Sequence, residues 1–158
     1  MRHLFGQLIK EAMLADERVW LLTGDLGFGV LDPVRDSVPE RFRNVGAAEQ
    51  LMYGAAVGLR HSGKIPVVYS ITPFTIFRPY EYIRNYLNHE GTCVKIVGAG
   101  RDQDYGNLGF SHWADDDEQA LAMFDRVQKW WPETEDELRE QFTCWLHSPH
   151  PAYLNLKR

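Results

Sequence analysis

The chain is short of several things, and each shortage removes a class of function. Two cysteines among 158 residues, Cys93 and Cys144, cannot build a disulfide framework or a paired thiolate metal site, so reduced cytoplasmic thiols are the simplest reading. No Lys/Arg run interrupts a formal net charge of -5, which disfavours nucleic-acid binding. No apolar run is long enough to span a membrane. Gln7, Lys10, Glu11, Asp16 and Glu17 break up the N-terminus, so it does not read as a signal segment. There is no internal repeat, low-complexity tract or Pro/Gly/Ser linker. The length suits one core, and residues 1–158 are expected to form a single domain.

Familiar catalytic signatures are missing too. Glycines at 24, 27 and 29 do not give the GxGxxG spacing of a dinucleotide site. There is no phosphate P-loop and no nucleophile-elbow serine. His3, His61, His89, His147 and His150 are scattered, and Asp115-Asp116-Asp117-Glu118 reads as a solvated helix start. No metal-ligand set is expected on this chain.

What is present alternates. An amphipathic helix is predicted over residues 2–15, from Leu4, Leu8, Ile9 and Met13 on one face. Strands are predicted at Arg18–Thr23, Phe42–Val45, Ile65–Ser70, Cys93–Gly98, Val127–Trp131 and Ala152–Leu156. Between them fall helices over Ala48–His61, Tyr80–His89, Asp115–Phe124 and Thr134–Leu146, the last with a Thr134/Glu137 capping box. Residues 71–78 read as an aromatic loop and Ala99–Trp113 as a long Gly-rich one. Strands alternating with helices imply an α/β fold: three layers, with a mainly parallel sheet covered by helices on both faces. Helix Ala48–Leu59, where Gly54 and Gly58 permit close approach, is the candidate dimer face.

In such a sheet the loops after the strands share one edge, where ligands bind. Glu49 stands there at a helix start, just after Gly46, and the helix dipole favours a carboxylate at that position. One carboxylate, one aromatic cluster and His112 could therefore share a rim.

Taken in order, Asn44-Val45-Gly46-Ala47-Ala48-Glu49-Gln50, Lys64–Tyr69, the Phe74–Asn85 segment, Val94–Gly98 and Gly109-Phe110-Ser111-His112 resemble the pyrimidine-binding domain of transketolase-like, thiamine diphosphate-dependent enzymes. The resemblance is strongest over roughly residues 1–123. It implies that Glu49 meets N1′ of the cofactor's aminopyrimidine and favours the tautomer that removes the thiazolium proton. Phe74 or Phe77 would stack on the ring, with Asp25 a further cofactor-side candidate. His112 would face substrate. Arg78 corresponds to an arginine used near a substrate phosphate, or is a salt-bridged residue at a helix start.

The departures carry expectations as well. Leu108 stands where the family has an aspartate contacting a substrate hydroxyl, with Asn107 and Asp104 as nearby polar replacements. A Gly-Asp-Gly…Asn segment for diphosphate and Mg²⁺ or Ca²⁺ does not occur in the 158 residues, and Gly24-Asp25-Leu26 does not supply one. A separate diphosphate-binding subunit is therefore expected, in a heterotetramer with two copies of each chain. The implied reaction moves a two-carbon ketol or acyl unit between sugar-like carbonyl substrates. The rivals are a two-component 2-oxo acid decarboxylase of the same build and a non-catalytic binding module.

Overall fold

A computed structural model describes every residue from Met1 to Arg158. The chain opens with α1 (Arg2–Ala15), whose Leu4, Phe5, Ile9 and Met13 are buried at helical spacing. Then follow β1 (Val19–Thr23), α2 (Asp32–Ser37), a single turn Pro39–Arg41, β2 (Phe42–Asn44) and α3 (Glu49–His61). Next come β3 (Ile65–Ile71), α4 (Thr72–Phe77) and α5 (Tyr80–Tyr82), which widens into a π-helix over Ile83–His89. The chain closes with β4 (Lys95–Ala99), α6 (Asp117–Leu121), β5 (Gln128–Trp130), α7 (Glu135–His147) and β6 (Ala152–Leu156).

All six strands are parallel, in the order β2-β1-β3-β4-β6-β5. A parallel sheet is buried on both faces, which is why its central strands read as continuous apolar runs. Alternate residues feed two cores. Leu21, Val67, Tyr69, Val97 and Leu154 face α1, α2 and α7, around Phe5 and Trp145. Leu22, Val68, Ile96 and Tyr153 face α3, α4, α5 and α6, around Met52, Tyr53, Ile76 and Leu87. Each fully buried side chain of this size is worth about 1.5–3 kcal/mol.

The expected α/β architecture is found, with three local corrections. Residues 72–77, read as loop, form α4 with Pro73 in its first turn. Thr75 and Ile76 are poor helix formers, but burial of Thr72, Pro73, Thr75 and Ile76 against the sheet outweighs propensity. Pro at a first helical turn was the available signal. The helix predicted over Asp115–Phe124 is only the five residues Asp117–Leu121. Asp117 within the supposedly solvated acidic run is 6% exposed and accepts hydrogen bonds from Tyr153 Oη (2.7 Å), Asn155 Nδ2 (2.9 Å) and Trp131 Nε1 (3.4 Å). At α7, Thr134 Oγ1 accepts from Glu137 N (3.2 Å), while Glu137 Oε2 accepts from Glu133 N (2.8 Å) rather than from Thr134.

Candidate active site

The strand order sets β2, β1, β3 and β4 side by side, so the segments leaving their C-terminal ends are neighbours. Asn44, the last residue of β2, ties the first two together. Its Oδ1 accepts from Asp25 N (2.9 Å) and Gly46 N (3.0 Å), and its Nδ2 donates to Asp25 Oδ1 (3.2 Å). Asp25 is held at φ 59°, a left-handed conformation Asp tolerates better than most residues, and Gly46 turns at φ 74°. That turn delivers Glu49 to the first position of α3.

Glu49 is 3% exposed. Gly24, at the end of β1, backs it: a Cβ there would lie 3.4 Å from both Glu49 Oε1 and the Gly46 carbonyl oxygen. Below it, burial pushes the Tyr53 phenol well up, and the Glu49 charge adds to the effect. Tyr53 Oη donates to the Thr75 carbonyl oxygen (2.7 Å), locking α4 against α3.

α4 carries the aromatic side of the rim. Phe74 is half-buried and Phe77 is 43% exposed. Arg78 follows at the end of α4, with its carbonyl oxygen accepting from Gln50 Nε2 (3.3 Å). Its Nη1 donates to Glu49 Oε1 at 2.7 Å, and its guanidinium lies over the Phe74 ring, 3.7 Å from the centroid. Of the two sequence readings of Arg78, the ion-paired one describes its position in the chain, although the residue ends a helix rather than starting one.

His112 arrives from the other side, in a short turn (Phe110–His112) of the loop after β4. Its ring meets Phe74 edge-on at 4.9 Å, and Ser111 Oγ lies 3.0 Å from Nδ1. With Nδ1 engaged by Ser111, Nε2 is the ring atom left for other partners. Asn107 is exposed in the neighbouring turn Gly106–Leu108. Glu49, Phe74, Arg78 and His112 thus form one contiguous set, with Phe77 at its edge. Asp25 joins only through Asn44, and Asn107 stands outside these contacts.

A cleft of about 250 Å³ opens beside the set, between Phe74, Phe77, Arg78, Phe110, Trp113 and Asp116. Phe110, Trp113, Asp116 and Gly24 escaped sequence reasoning, although Phe110 and Trp113 flank a histidine in a Gly-rich loop. A larger cleft of about 370 Å³, around Arg84, His89 and Phe124, shares none of these residues. No group of three or more His, Cys, Asp or Glu side chains is arranged to hold a metal ion. No helix is long and apolar enough to cross a membrane.

The family model described as "Transketolase, pyrimidine binding domain" matches residues 1–158. The chain belongs to this family. Membership extends the likeness past the residue 123 limit of the sequence motifs to α7 and β6. Among curated relatives, one of the subunits of the apulose-4-phosphate transketolase of Actinobacillus succinogenes is 32% identical over 124 residues, covering 78% of this chain and 40% of the relative. "6-deoxy-6-sulfo-D-fructose transketolase subunit SqwH" of a Clostridium species is 28% identical over 159 residues, covering 100% of the chain and 49% of the relative. The chain therefore spans between two-fifths and half of the length of these relatives. A solved structure described as "Split gene transketolase, inactive beta4 tetramer" superposes with a TM-score of 0.85 at 28% identity, over 99% of this chain and 50% of that one.

Family membership implies thiamine diphosphate as cofactor. The rim residues fit its pyrimidine end. A buried carboxylate, an aromatic face and an adjoining cleft converge there, and Gly24 has no side chain to fill the space against Glu49.

Proposed function

We propose that these 158 residues act as one pyrimidine-binding unit of a two-component, thiamine diphosphate-dependent, transketolase-like transferase in the cytoplasm. A separate polypeptide holds the diphosphate with Mg²⁺ or Ca²⁺, in a heterotetramer with two copies of each chain. The observation that carries this reading is Glu49: a 3% exposed carboxylate beside an aromatic ring, at the strand-end rim of a chain in this family. When bound, the cofactor would supply a nucleophilic carbon for moving a two-carbon ketol or acyl unit between sugar-like carbonyl substrates.

The chain's own side chains do the rest. Glu49 holds a proton at N1′ of the aminopyrimidine in a charge-assisted hydrogen bond. Phe74 is the stacking platform, because its half-buried ring adjoins both Arg78 and His112. Phe77 forms the outer wall of the cleft. His112, oriented through Ser111, presents Nε2 to substrate oxygen. Asp25 and Asn107 border the cofactor and substrate respectively. A partner that covers these exposed apolar walls would exclude water and strengthen each polar contact inside.

Two further features support a partner covering the rim. Phe28, Leu51, Phe77, Leu108 and Phe110 are large, apolar and exposed, and all lie in the segments that follow β1 to β4. Of these, Phe77 and Phe110 line one cleft with Phe74 and Trp113, and an exposed apolar patch of that kind suits an interaction surface. Several relatives are named as subunits of transketolases.

The test is Glu49→Gln in the complex with a partner carrying a Gly-Asp-Gly…Asn segment. Gln keeps the shape and removes the proton-holding group. Turnover is expected to fall by about 10²–10⁴-fold, with little change in melting temperature. Near-wild-type turnover would end the assignment. Micromolar binding of thiamine diphosphate by the chain alone would end the two-component account.

A further inference from the structure

The contacts of Arg78 match those the aminopyrimidine needs. A planar, nitrogen-rich cation donates to the Glu49 carboxylate at 2.7 Å and lies face-on over Phe74, 3.7 Å from the ring centroid. Both partners are the ones assigned to the cofactor above, and the Glu49 oxygen and Phe74 face that Arg78 takes are closed to a second planar group while it stays. We propose that Arg78 is a placeholder: it occupies the aminopyrimidine's position in the cofactor-free chain and must leave Glu49 and Phe74 before the cofactor can seat. This inference rests on the proposed function and adds how that site is regulated.

The geometry suits a side chain built to leave. The backbone at Arg78 is helical, at φ −66° and ψ −44°, and its carbonyl oxygen accepts from Gln50 Nε2 at 3.3 Å. The side chain is not fixed in the same way: it is 45% exposed, against 3% for Glu49. It also lines the cleft shared with Phe110, Trp113 and Asp116, so the space it would swing into adjoins it, with the Asp116 carboxylate among the lining groups. In the empty chain the pair has a stabilising function. Glu49 is a buried carboxylate, and a buried charge without a partner is expensive. Arg78 neutralises it until the cofactor takes over. Cofactor capture must then exceed the strength of the ion pair.

Arg78→Met and Arg78→Lys test this in two measurements. In the partner complex, thiamine diphosphate affinity is read by titration of intrinsic tryptophan fluorescence with Mg²⁺ present. Removal of the competitor is expected to lower Kd by about tenfold in Arg78→Met, equivalent to about 1.4 kcal/mol. Arg78→Lys, which keeps the charge but not the planar face, should fall between Arg78→Met and wild type. In the isolated chain, Arg78→Met should lower the melting temperature, because Glu49 loses its partner, whereas the cofactor-loaded complex should melt as wild type does. A weaker or unchanged Kd in Arg78→Met, or an isolated chain that melts unchanged, overturns the placeholder. If wild-type and variant complexes assemble but none binds thiamine diphosphate, the proposed function itself fails and the placeholder falls with it.

Discussion

Asn44 makes a sharp test of how the rim is built, because it touches neither ring nor carboxylate of the Glu49 set and acts only through two loops. Its Oδ1 takes the N–H groups of Asp25 and Gly46, and its Nδ2 restrains the Asp25 carboxylate. In Asn44→Ala these groups turn to water, since Asp25 and Asn44 are exposed and Gly46 is only half-buried. Each lost bond is then worth about 0.5–1 kcal/mol rather than the full desolvation penalty. The two backbone bonds together give about 1–2 kcal/mol. For a chain of this length that lowers the melting temperature by about 2–8 °C. The effect at the site is separable. The Asp25 N–H, in a residue at φ 59°, is tethered through Asn44, and relaxation of its loop moves the Gly24 backing of Glu49. If the rim must be re-ordered on cofactor binding, the same energy of about 1–2 kcal/mol reappears as a Kd raised by about 5- to 30-fold. Differential scanning fluorimetry of the chain and cofactor titration of the partner complex read the two quantities. Asn44→Asp, which keeps the acceptor but sets a carboxylate against Asp25, should recover part of the loss. A melting temperature that falls as expected beside a Kd within about twofold of wild type would refute the positioning role and leave Asn44 a fold residue only.

Other outcomes follow from packing and burial. In Gly98→Ala the new Cβ would sit 2.6 Å from Thr72 Oγ1 and 2.8 Å from Tyr153 Oη. Overpacking of that kind costs about 3 kcal/mol, a fall of about 6–12 °C in melting temperature, and an unshifted melt would show that α4 can move off β4. By contrast, Gly58 in α3 has nothing within 4 Å of its would-be Cβ. Gly58→Ala should raise the stability of the isolated chain by about 0.4–1 kcal/mol, and if α3 is the dimer face it should also reduce the assembled mass in sedimentation. Burial pushes the phenols of Tyr53, Tyr69 and Tyr153 above the ordinary value. Groups raised in the folded state contribute stability that is complete below about pH 10 and is lost as pH rises beyond it. Lys95, lowered by burial, has the opposite sign, its penalty easing as pH rises toward about 10.4. Absorbance at about 295 nm, where phenolate absorbs, should therefore show three of the seven tyrosines ionising only as the chain unfolds; ionisation of all seven in the folded chain would contradict their burial.

Local signals made most of the architecture legible. Apolar runs bounded by Gly or Pro located the four central strands, and Leu4, Ile9 and Met13 gave the buried face of α1. The misreadings arose where a tertiary partner decides. Thr75 and Ile76 argue against helix locally, and only the sheet behind them and Tyr53 above them make α4 the better solution. Asp117 reads as one more surface acid beside Asp115 and Asp116. Its burial depends on Tyr153 and Asn155, thirty-six and thirty-eight positions later, and no window along the sequence brings them together.

The rim divides along the same line. Glu49 could be singled out because Gly46 and a helix start fix its position locally. His112 could be singled out because a motif surrounds it. The pairing of Arg78 with Glu49 could not, since it spans twenty-nine residues and two helices that meet only once β3 has carried the chain back across the sheet. That pairing changes what the site has to do. A carboxylate at a helix start needs only the dipole and water to remain charged. One that is 3% exposed needs a counter-charge whenever it is ionised. If Glu49 holds a proton on the cofactor, as proposed, the same burial also requires something to stand in while the cofactor is absent. On the proposed assignment Arg78 meets that requirement with a half-exposed side chain, and the cofactor's affinity would be set by the difference between two partners rather than by the quality of one.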